Sequence, residues 1–338
     1  GHATSMNLDF DAVYCEPGAL KYPLGRSLRE KYARLPWFEI ESHNSIPEFC
    51  AAENRDFPGL KRHLIIGVRK THRYVPNRKV SDWLVPYTSS GCRAMCLYCY
   101  LVCNYNKCAY LRLFVNREQM MEKLLKSDAG ARGACTYEIG SNSDLVLENE
   151  ITGNLAWTVE QFARRGLGRL TFPTKFDMVD PLLSLDHRRR VIVRMSVNPE
   201  EIVRRVEIGT SPLDFRIRAL NAVADAGYPV GLLIAPVILL PDWRRQYGEL
   251  IVSLADQLSA RVREGGFLEI IFMTYSFVQG AINREAFPGA VPLFDRAQMV
   301  GRGRGKYCYT ARLRSEAEAF LRQRLEEKLP DMPVLYVV

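Results

Sequence analysis

Residues 83–101 read WLVPYTSSGCRAMCLYCYL, a short apolar run followed by a cysteine-rich loop. Cys92, Cys96 and Cys99 have the spacing C-x3-C-x2-C. Thiolates are the usual protein ligands of iron–sulfur clusters, and three of them leave one iron of a 4Fe–4S cubane without a protein ligand. An aromatic residue before the third cysteine and the position directly after an apolar run favour this interpretation. The loop therefore predicts a cluster-binding site.

Two other interpretations of the loop remain open. Zinc needs a fourth ligand, which Cys103 or Cys108 could supply, and the loop cysteines could also be buried free thiols. Cys103 and Cys108 themselves could bind a second metal or exchange sulfur. We favour a simpler view of these two residues, because free cysteine often packs as a small apolar side chain.

The open iron of such a cluster predicts a second cofactor. It can chelate the amino and carboxylate groups of S-adenosylmethionine (SAM), and an electron from the cluster then cleaves SAM to a 5′-deoxyadenosyl radical. The cofactor carries this chemistry, whereas the protein binds and orients the reactants. The sequence therefore predicts a radical SAM enzyme.

Composition limits the remaining possibilities. The 338 residues are 47% hydrophobic and carry a formal net charge of +8, which permits a polyanionic partner without requiring one. No apolar run reaches the ~18 residues of a membrane span, so we expect a cytoplasmic protein without membrane contact. Nine cysteines in a reducing cytosol indicate metal or redox chemistry rather than disulfides.

Apolar runs alternate with helical patterns from residue 83 onward. Such alternation is typical of parallel βαβ units, and six in succession predict an α/β fold of the partial (β/α)6 TIM-like barrel type. An open doubly wound sheet is the alternative. The predicted strands are 83–86, 134–137, 170–172, 191–196, 230–234 and 268–272. Polar residues at strand ends, where barrel active sites form, are Ser89, Cys135, Lys175 and Ser196.

The chain divides into four predicted segments. Residues 1–5 have the character of a cloning remnant, and residues 6–80 form an N-terminal extension that is largely irregular, with one candidate strand at 64–68. Residues 81–285 form the barrel. Residues 286–338 form a C-terminal extension with a basic Gly/Arg loop, GRGRGK at 301–306, a charged helix and a final apolar strand.

The sequence resembles the spore photoproduct lyases, a radical SAM family, from about residue 80 to the C-terminus. The matching segments are TSSGC at 88–92, CLYCYL at 96–101, YLR at 110–112, VN at 115–116, ACT at 134–136, TKF at 174–176, VD at 179–180, SVN at 196–198, GTS at 209–211, AGYP at 226–229, IAP at 234–236 and GKY at 305–307. Together these segments are more specific than the cysteine spacing alone.

The resemblance implies repair of a thymine–thymine lesion in DNA, with a small electron-transfer protein such as flavodoxin or ferredoxin as reductant. It implies that Cys135 returns a hydrogen atom to the product radical and that Tyr98 and Tyr100 relay hydrogen towards SAM. The implied SAM contacts are Ser90, Lys175, Ser196 and Asn198. The implied nucleic-acid contacts are Arg302, Arg304 and Lys306, and the implied cluster ligands are Cys92, Cys96 and Cys99.

Three positions depart from the family pattern. Tyr137 stands where the family has serine two residues after the hydrogen-donor cysteine. The sixth strand ends in FMTY at 272–275 instead of a Gln-His-Arg-Phe set, and the basic loop is shorter and lacks a tyrosine. Base flipping costs a few kcal/mol, and aromatic stacking offsets part of this cost. A radical SAM enzyme that acts on a free pyrimidine nucleoside or nucleotide in biosynthesis therefore remains an alternative.

Overall fold

A computed structural model describes residues 9–99, Leu101 and residues 110–338. Tyr100, Cys103 and Cys108 lie outside the described residues, so the predictions made for them stay predictions.

The described strands and helices are numbered separately in chain order. The strands are β1 Ala12–Cys15, β2 Trp37–Glu39, β3 His63–Gly67, β4 Val75–Pro76, β5 Trp83–Leu84, β6 Ser89–Ser90, β7 Met95–Cys96, β8 Arg112–Phe114, β9 Thr136–Glu138, β10 Arg169–Thr174, β11 Val191–Val197, β12 Glu207–Ile208, β13 Val230–Val237, β14 Phe267–Phe272, β15 Thr274–Ser276, β16 Met299–Gly303, β17 Lys306–Tyr309 and β18 Val334–Val337. The helices are α1 Pro23–Lys31, α2 Pro47–Cys50, α3 Phe57–Leu60, α4 Arg117–Ala129, α5 Leu145–Thr152, α6 Asn154–Arg165, α7 Glu200–Arg205, α8 Leu213–Asp225, α9 Trp243–Gln257, α10 Ala260–Gly265, α11 Phe277–Ala286 and α12 Ala311–Lys328.

The predicted partial barrel is confirmed. The largest sheet in the described part of the chain has the order β18-β14-β13-β11-β10-β9-β5-β4. The six predicted strands correspond to β5, β9, β10, β11, β13 and β14, and each is parallel to the next. Long strands such as β11, VIVRMSV, are buried along nearly their whole length, as expected for a parallel sheet covered on both faces. β18 adds a further parallel strand at one edge, and β4 pairs antiparallel at the other.

Amphipathic helices cover the outer face of this sheet. In α6, the buried residues Leu155, Val159 and Phe162 recur at helical spacing and join the same core as the barrel strands. The preceding Gly153 has a φ of 69°, a left-handed conformation that glycine adopts readily, and it separates α5 from α6. The apolar stripe of α6 therefore fixes how the helix packs on the barrel.

The N-terminal region is more regular than the sequence indicated. Strands β2, β1, β3, β8 and β6 form a second sheet, of which β1 to β3 lie before residue 68. Val13, Leu64, Ile66 and Leu113 belong to its separate apolar core. Because β6 and β8 pair with each other and flank the cysteine loop in sequence, this sheet anchors both ends of the segment that contains the loop.

The C-terminal residues complete the structure at the barrel mouth. β15, which follows β14 after one residue, pairs with β17, and β17 pairs with β16 to make a three-stranded antiparallel sheet. In the described residues, no helix is long and apolar enough to cross a membrane.

A buried ion-pair network stabilises the barrel interior. The Arg194 guanidinium on β11 contacts Glu138 of β9 at 2.7 Å and Glu269 of β14 at 2.9 Å. Tyr336 of β18 donates its hydroxyl hydrogen to Glu269. Three strands and the final strand are therefore joined by one set of charged groups.

Replacing Arg194 tests the contribution of this network. Arg194→Met leaves Glu138 and Glu269 buried without their cation, and we expect the free energy of unfolding in urea to fall by about 3–5 kcal/mol. The control Arg322→Met removes an exposed 3.0 Å pair with Glu318 on α12 and should cost less than about 1 kcal/mol. Equal losses in the two variants would contradict the assignment.

Candidate active site

A cavity of about 520 Å³ opens at the carboxyl-terminal ends of the barrel strands. This edge carries the active site in barrel enzymes, because the loops that follow the strands converge there. The lining residues from the strand ends are Gly140, Ser141, Ser143 and Asp144 after β9, Thr174 and Lys175 at the end of β10, Ser196 in β11, Ala235 and Pro236 in β13, and Phe272, Met273 and Thr274 at the end of β14.

The three loop cysteines line this cavity. Cys92, Cys96 and Cys99 are each partly buried and contribute to its wall. The backbone of Gly91 has a φ of 74°, which lets the chain turn sharply into the loop. β7 then pairs antiparallel with β12, so that Cys96 lies opposite Glu207. The loop is thus held on the barrel by a short strand pair.

The electrostatic environment of the loop keeps two of its thiols protonated in the absence of metal. Burial raises the pKa of Cys92 to about 11, although the nearby Lys61 ammonium opposes this effect. Burial and the Glu207 carboxylate raise the pKa of Cys96 to about 12. Metal binding must displace these protons, so iron affinity is coupled to pH.

The described residues contain no group of three or more His, Cys, Asp or Glu side chains placed to hold one metal ion. The thiolates of a cubane site bind different irons and need not converge on one point. Three separate thiols on one cavity wall therefore fit a cluster better than a zinc ion.

Tyr98 and Lys175 lie on the cavity wall close to each other. The Lys175 ammonium is 5.7 Å from the centroid of the Tyr98 ring. The backbone N–H of Lys175 donates to the carboxylate of Asp144 at 3.0 Å, which fixes the turn after β10. The Tyr98 hydroxyl donates to Glu207, away from bulk solvent.

The other predicted SAM contacts divide into two groups. Ser196 lines the cavity, and its hydroxyl donates to the Ala235 carbonyl at 2.8 Å. Asn198 is wholly buried behind the wall and donates to the Pro236 carbonyl at 3.0 Å. Ser90 is also buried outside the lining, and its hydroxyl has no partner among the described residues.

The predicted position of Cys135 is wrong. Cys135 precedes β9 and accepts a backbone hydrogen bond from Arg169 at the start of β10, so it lies at the amino-terminal end of the sheet. Its thiol lies near the Tyr137 hydroxyl, and Cys135 is absent from the cavity lining. At ~3.3 Å per residue, Cys135 lies roughly 15 Å along the strand from Gly140 at the barrel mouth.

The sequence contained a signal that locates the correct end of β9. Asp144 is followed by the apolar residues Leu145 to Leu147, a pattern typical of a helix N-cap. In the structure its carboxylate accepts from the Val146 N–H at 3.1 Å and from the Thr174 hydroxyl at 2.8 Å. A helix that begins at residue 145 requires the preceding strand to end near Gly140, which makes Ser141 and Ser143 the residues at the mouth.

Charged residues inside apolar strands were a second missed signal. Glu138, Arg194 and Tyr336 line the cavity as well as belonging to the buried network. A charge in a buried strand requires a partner, so Arg194 in VIVRMSV and Glu269 in FLEIIF could have been predicted to pair.

The basic loop forms the turn between β16 and β17 near the cavity. Arg302, Arg304 and Lys306 are exposed, and β17 pairs with β15, whose first residue is the cavity residue Thr274. Beside the turn, the Phe277 side chain is 47% exposed, a large apolar ring in contact with solvent.

Comparisons with known proteins agree with one another. A family model described as spore photoproduct lyase matches residues 9–338. The spore photoproduct lyase of Bacillus subtilis (strain 168) is 33% identical over 322 residues, which cover 93% of each chain. That of Geobacillus sp. (strain Y412MC61) is 30% identical over 332 residues, 96% of this chain and 97% of its own.

Solved structures of the same name have a closely similar fold. A double mutant of spore photoproduct lyase with bound AdoMet and dinucleoside spore photoproduct matches with a TM-score of 0.89 at 29% identity, over 97% of this chain and 99% of that chain. A spore photoproduct lyase complexed with dinucleoside spore photoproduct also has a TM-score of 0.89 at 29% identity, over 98% and 100% of the two chains.

Thiol alkylation tests the cysteine environment. In the metal-free chain at about pH 8, we expect iodoacetamide to modify the exposed Cys50 much faster than Cys92 or Cys96. The reason is that the thiolate is the reactive form, and the raised pKa values of Cys92 and Cys96 leave little thiolate at either residue. Mass spectrometry of peptides over time measures the rates, and equal rates would contradict the burial of the loop.

Proposed function

This chain belongs to the spore photoproduct lyase family and is a lyase, and from that premise we propose that it repairs a thymine–thymine lesion in DNA by radical SAM chemistry. One observation carries the proposal. Three cysteine thiols and the Lys175 ammonium line one cavity at the barrel mouth. The relatives share this chain's length almost entirely, which supports the family reaction over the free-nucleoside alternative.

Cys92, Cys96 and Cys99 are the proposed ligands of a 4Fe–4S cluster. When bound, the cluster and SAM supply a 5′-deoxyadenosyl radical that removes a hydrogen atom from the lesion. The protein holds the thiols on a cavity wall that is partly shielded from water, and β12 stabilises the loop by pairing with β7. A flavodoxin or ferredoxin is the proposed source of the electron.

Lys175 and Ser196 are the proposed SAM contacts on the cavity wall. An ammonium group pairs well with a carboxylate, and SAM carries one in its methionine part. Ser90 and Asn198 are wholly or nearly buried behind the lining, so they support the wall rather than touch SAM.

Tyr98 is the proposed hydrogen carrier. Its ring lines the cavity, whereas Cys135 lies at the other end of β9, so Cys135 is not part of this proposal. Among the described cysteines, those that line the cavity are the three cluster ligands. The role predicted for Tyr100 stays a prediction.

The β16–β17 turn is the proposed DNA contact. Arg302, Arg304 and Lys306 can neutralise phosphates without reading sequence. Phe277 lies against this turn, since its ring is 4.8 Å from that of Tyr307 on β17. Its exposed ring offers a surface on which a displaced base can stack, in place of the tyrosine that the loop lacks.

Loss of a loop cysteine should abolish cluster binding. After anaerobic reconstitution with iron and sulfide, we expect Cys92→Ala, Cys96→Ala and Cys99→Ala to lose iron and to stop releasing 5′-deoxyadenosine from SAM. Cys135→Ala is the matched control and should keep its iron content, SAM cleavage and normal product. A wild-type chain with a full, reducible cluster that leaves SAM intact would overturn the radical SAM proposal.

The same preparation separates the two substrates. Incubation with a lesion-bearing dinucleotide and, in parallel, with free pyrimidine nucleosides should give turnover of the dinucleotide. Turnover of the nucleosides alone would replace the repair proposal by the alternative.

Salt dependence tests the DNA contact. Converting Arg302, Arg304 and Lys306 to alanine should lower the slope of log affinity against log salt by about 0.9 for each phosphate of duplex DNA that the turn no longer neutralises. Fluorescence anisotropy with a lesion-bearing duplex measures this slope. The control Arg322→Ala/Arg324→Ala removes two exposed cations of α12 and should leave the slope unchanged. An unchanged slope in the triple variant would place the DNA elsewhere.

A further inference from the structure

The segment that joins the N-terminal sheet to the barrel is strongly basic. Residues 69–79 read RKTHRYVPNRK and contain five Lys or Arg side chains, whereas no Asp or Glu occurs between Asp56 and Asp82. The segment therefore holds a large share of the positive charge in a chain whose formal net charge is +8. The DNA contact proposed at the β16–β17 turn leaves this charge without a role.

Most of the charge in this segment is open to solvent. Four of its five cations are exposed, and these are Lys70, Arg73, Arg78 and Lys79. Exposed cations elsewhere in the protein often have a carboxylate partner, as Arg245 has in Glu249 at 3.2 Å. In the part of the chain that the structure describes, none of the four has a carboxylate within 4.0 Å. Their attraction for an external anion is therefore not cancelled by a neighbouring charge.

Hydrogen bonds and ring contacts hold the segment against the rest of the protein. The Arg69 side chain donates from Nε to the Tyr87 carbonyl at 2.8 Å. The Lys123 ammonium on α4 donates to the His72 carbonyl and lies 4.8 Å from the centroid of the Tyr74 ring. Lys123 is itself exposed, so it adds a further cation beside the segment. A surface that is already ordered loses less conformational entropy when it binds a partner.

The first carboxylate after the segment is engaged by the barrel. Asp82 accepts a hydrogen bond from the backbone N–H of Thr136 on β9 at 2.8 Å. The backbone N–H of Asn77 donates to the Asp82 carbonyl at 2.9 Å, and the Asn77 amide donates to the Ser81 hydroxyl at 2.7 Å. These bonds close the connection between β4 and β5, and they fix the end of the basic segment relative to the barrel strands.

This end of the segment reaches the active-site cavity. Asn77, Lys79 and Val80 line the same cavity as the three loop thiols. The Lys79 ammonium is 5.6 Å from the centroid of the Tyr336 ring on β18. Because β4 and β18 are the two edge strands of the large sheet, Lys79 lies where the open edges of the partial barrel approach each other. A strand of DNA that leaves the cavity at this gap meets Lys79 first and the other exposed cations after it.

We propose that residues 69–79 form a second DNA-binding surface, which binds phosphates of the strand on one side of the lesion. The inference rests on the proposed function, because it takes a lesion in DNA as the substrate. Lys and Arg side chains bind phosphates without reading the sequence of bases. The segment therefore supplies affinity through its charge, whereas selection of the lesion is left to the cavity.

Salt dependence of binding to two kinds of DNA tests the proposal. In the reconstituted full chain, Lys70→Ala/Arg73→Ala/Arg78→Ala should lower the slope of log affinity against log salt for a lesion-bearing duplex by about 0.9 for each phosphate no longer neutralised. The same variant should bind a lesion-bearing dinucleotide as the wild type does, because the dinucleotide has no flanking phosphates. An unchanged slope with the duplex would overturn the proposal, as would an equal loss of affinity for the dinucleotide.

Two control variants separate charge from other effects. Lys70→Arg/Arg73→Lys/Arg78→Lys keeps every charge and should keep the wild-type slope, because counterion release depends on the number of charges. Arg322→Ala/Arg324→Ala removes two exposed cations of α12 and should also keep it. A fall in slope in either control equal to that of the alanine variant would overturn the proposal.

A lesion-free duplex separates this inference from the proposed function. Phosphate contacts do not depend on the lesion, so the alanine variant should lower the slope equally with lesion-free DNA. A wild-type chain that repairs no lesion, in a preparation where the alanine variant still lowers the slope, would overturn the proposed function alone. A wild-type chain that repairs the lesion, while the alanine variant keeps the wild-type slope, would overturn this inference alone.

Discussion

The Arg216–Glu207 ion pair holds the cysteine loop against the barrel, and both side chains are completely removed from water. Transferring a charged group into a protein interior costs several kcal/mol, which only a well-placed partner and further hydrogen bonds offset. Because Glu207 lies on β12, opposite Cys96 on β7, the same strand pair carries the charge and the loop. The positions of Cys96 and Tyr98 therefore depend on a residue of α8 that lies far from them in sequence.

The floor of the cavity is also built from buried charged groups that pair with one another. Arg194 is buried between Glu138 and Glu269, and Tyr336 from the final strand completes the set. Polar groups in such a place are rigid, because any movement leaves a charge without its partner. The cavity thus has an ordered polar floor, an apolar side at Phe272 and Met273, and the three thiols on another wall. The radical chemistry proposed for this cavity would benefit from such rigidity, because reactive intermediates are kept from unintended partners.

Much of this architecture could be predicted from the sequence, and the errors have identifiable causes. The six barrel strands were found in the correct order because long buried runs such as VIVRMSV have few other interpretations. Cys135 was assigned to the wrong end of β9 because ACT resembles a family segment that contains the hydrogen-donor cysteine, while the Asp144 N-cap was overlooked. The strand predicted at 64–68 corresponds to β3, but the rest of the N-terminal sheet was missed because its strands are short and β3 pairs with β8, which lies well beyond residue 80.

The sequence by itself determined the cysteine spacing, the alternation of strands and helices, and the basic turn at residues 301–306, since each is local in the chain. Only the tertiary structure decided which side chains share the cavity. Tyr98 and Glu207 are 109 positions apart, and Glu138 and Arg194 are 56 positions apart. Contacts over such distances depend on the packing of the whole barrel, which no local pattern encodes. For the same reason Cys135, whose local sequence matches a family segment, lies at the end of its strand away from the cavity.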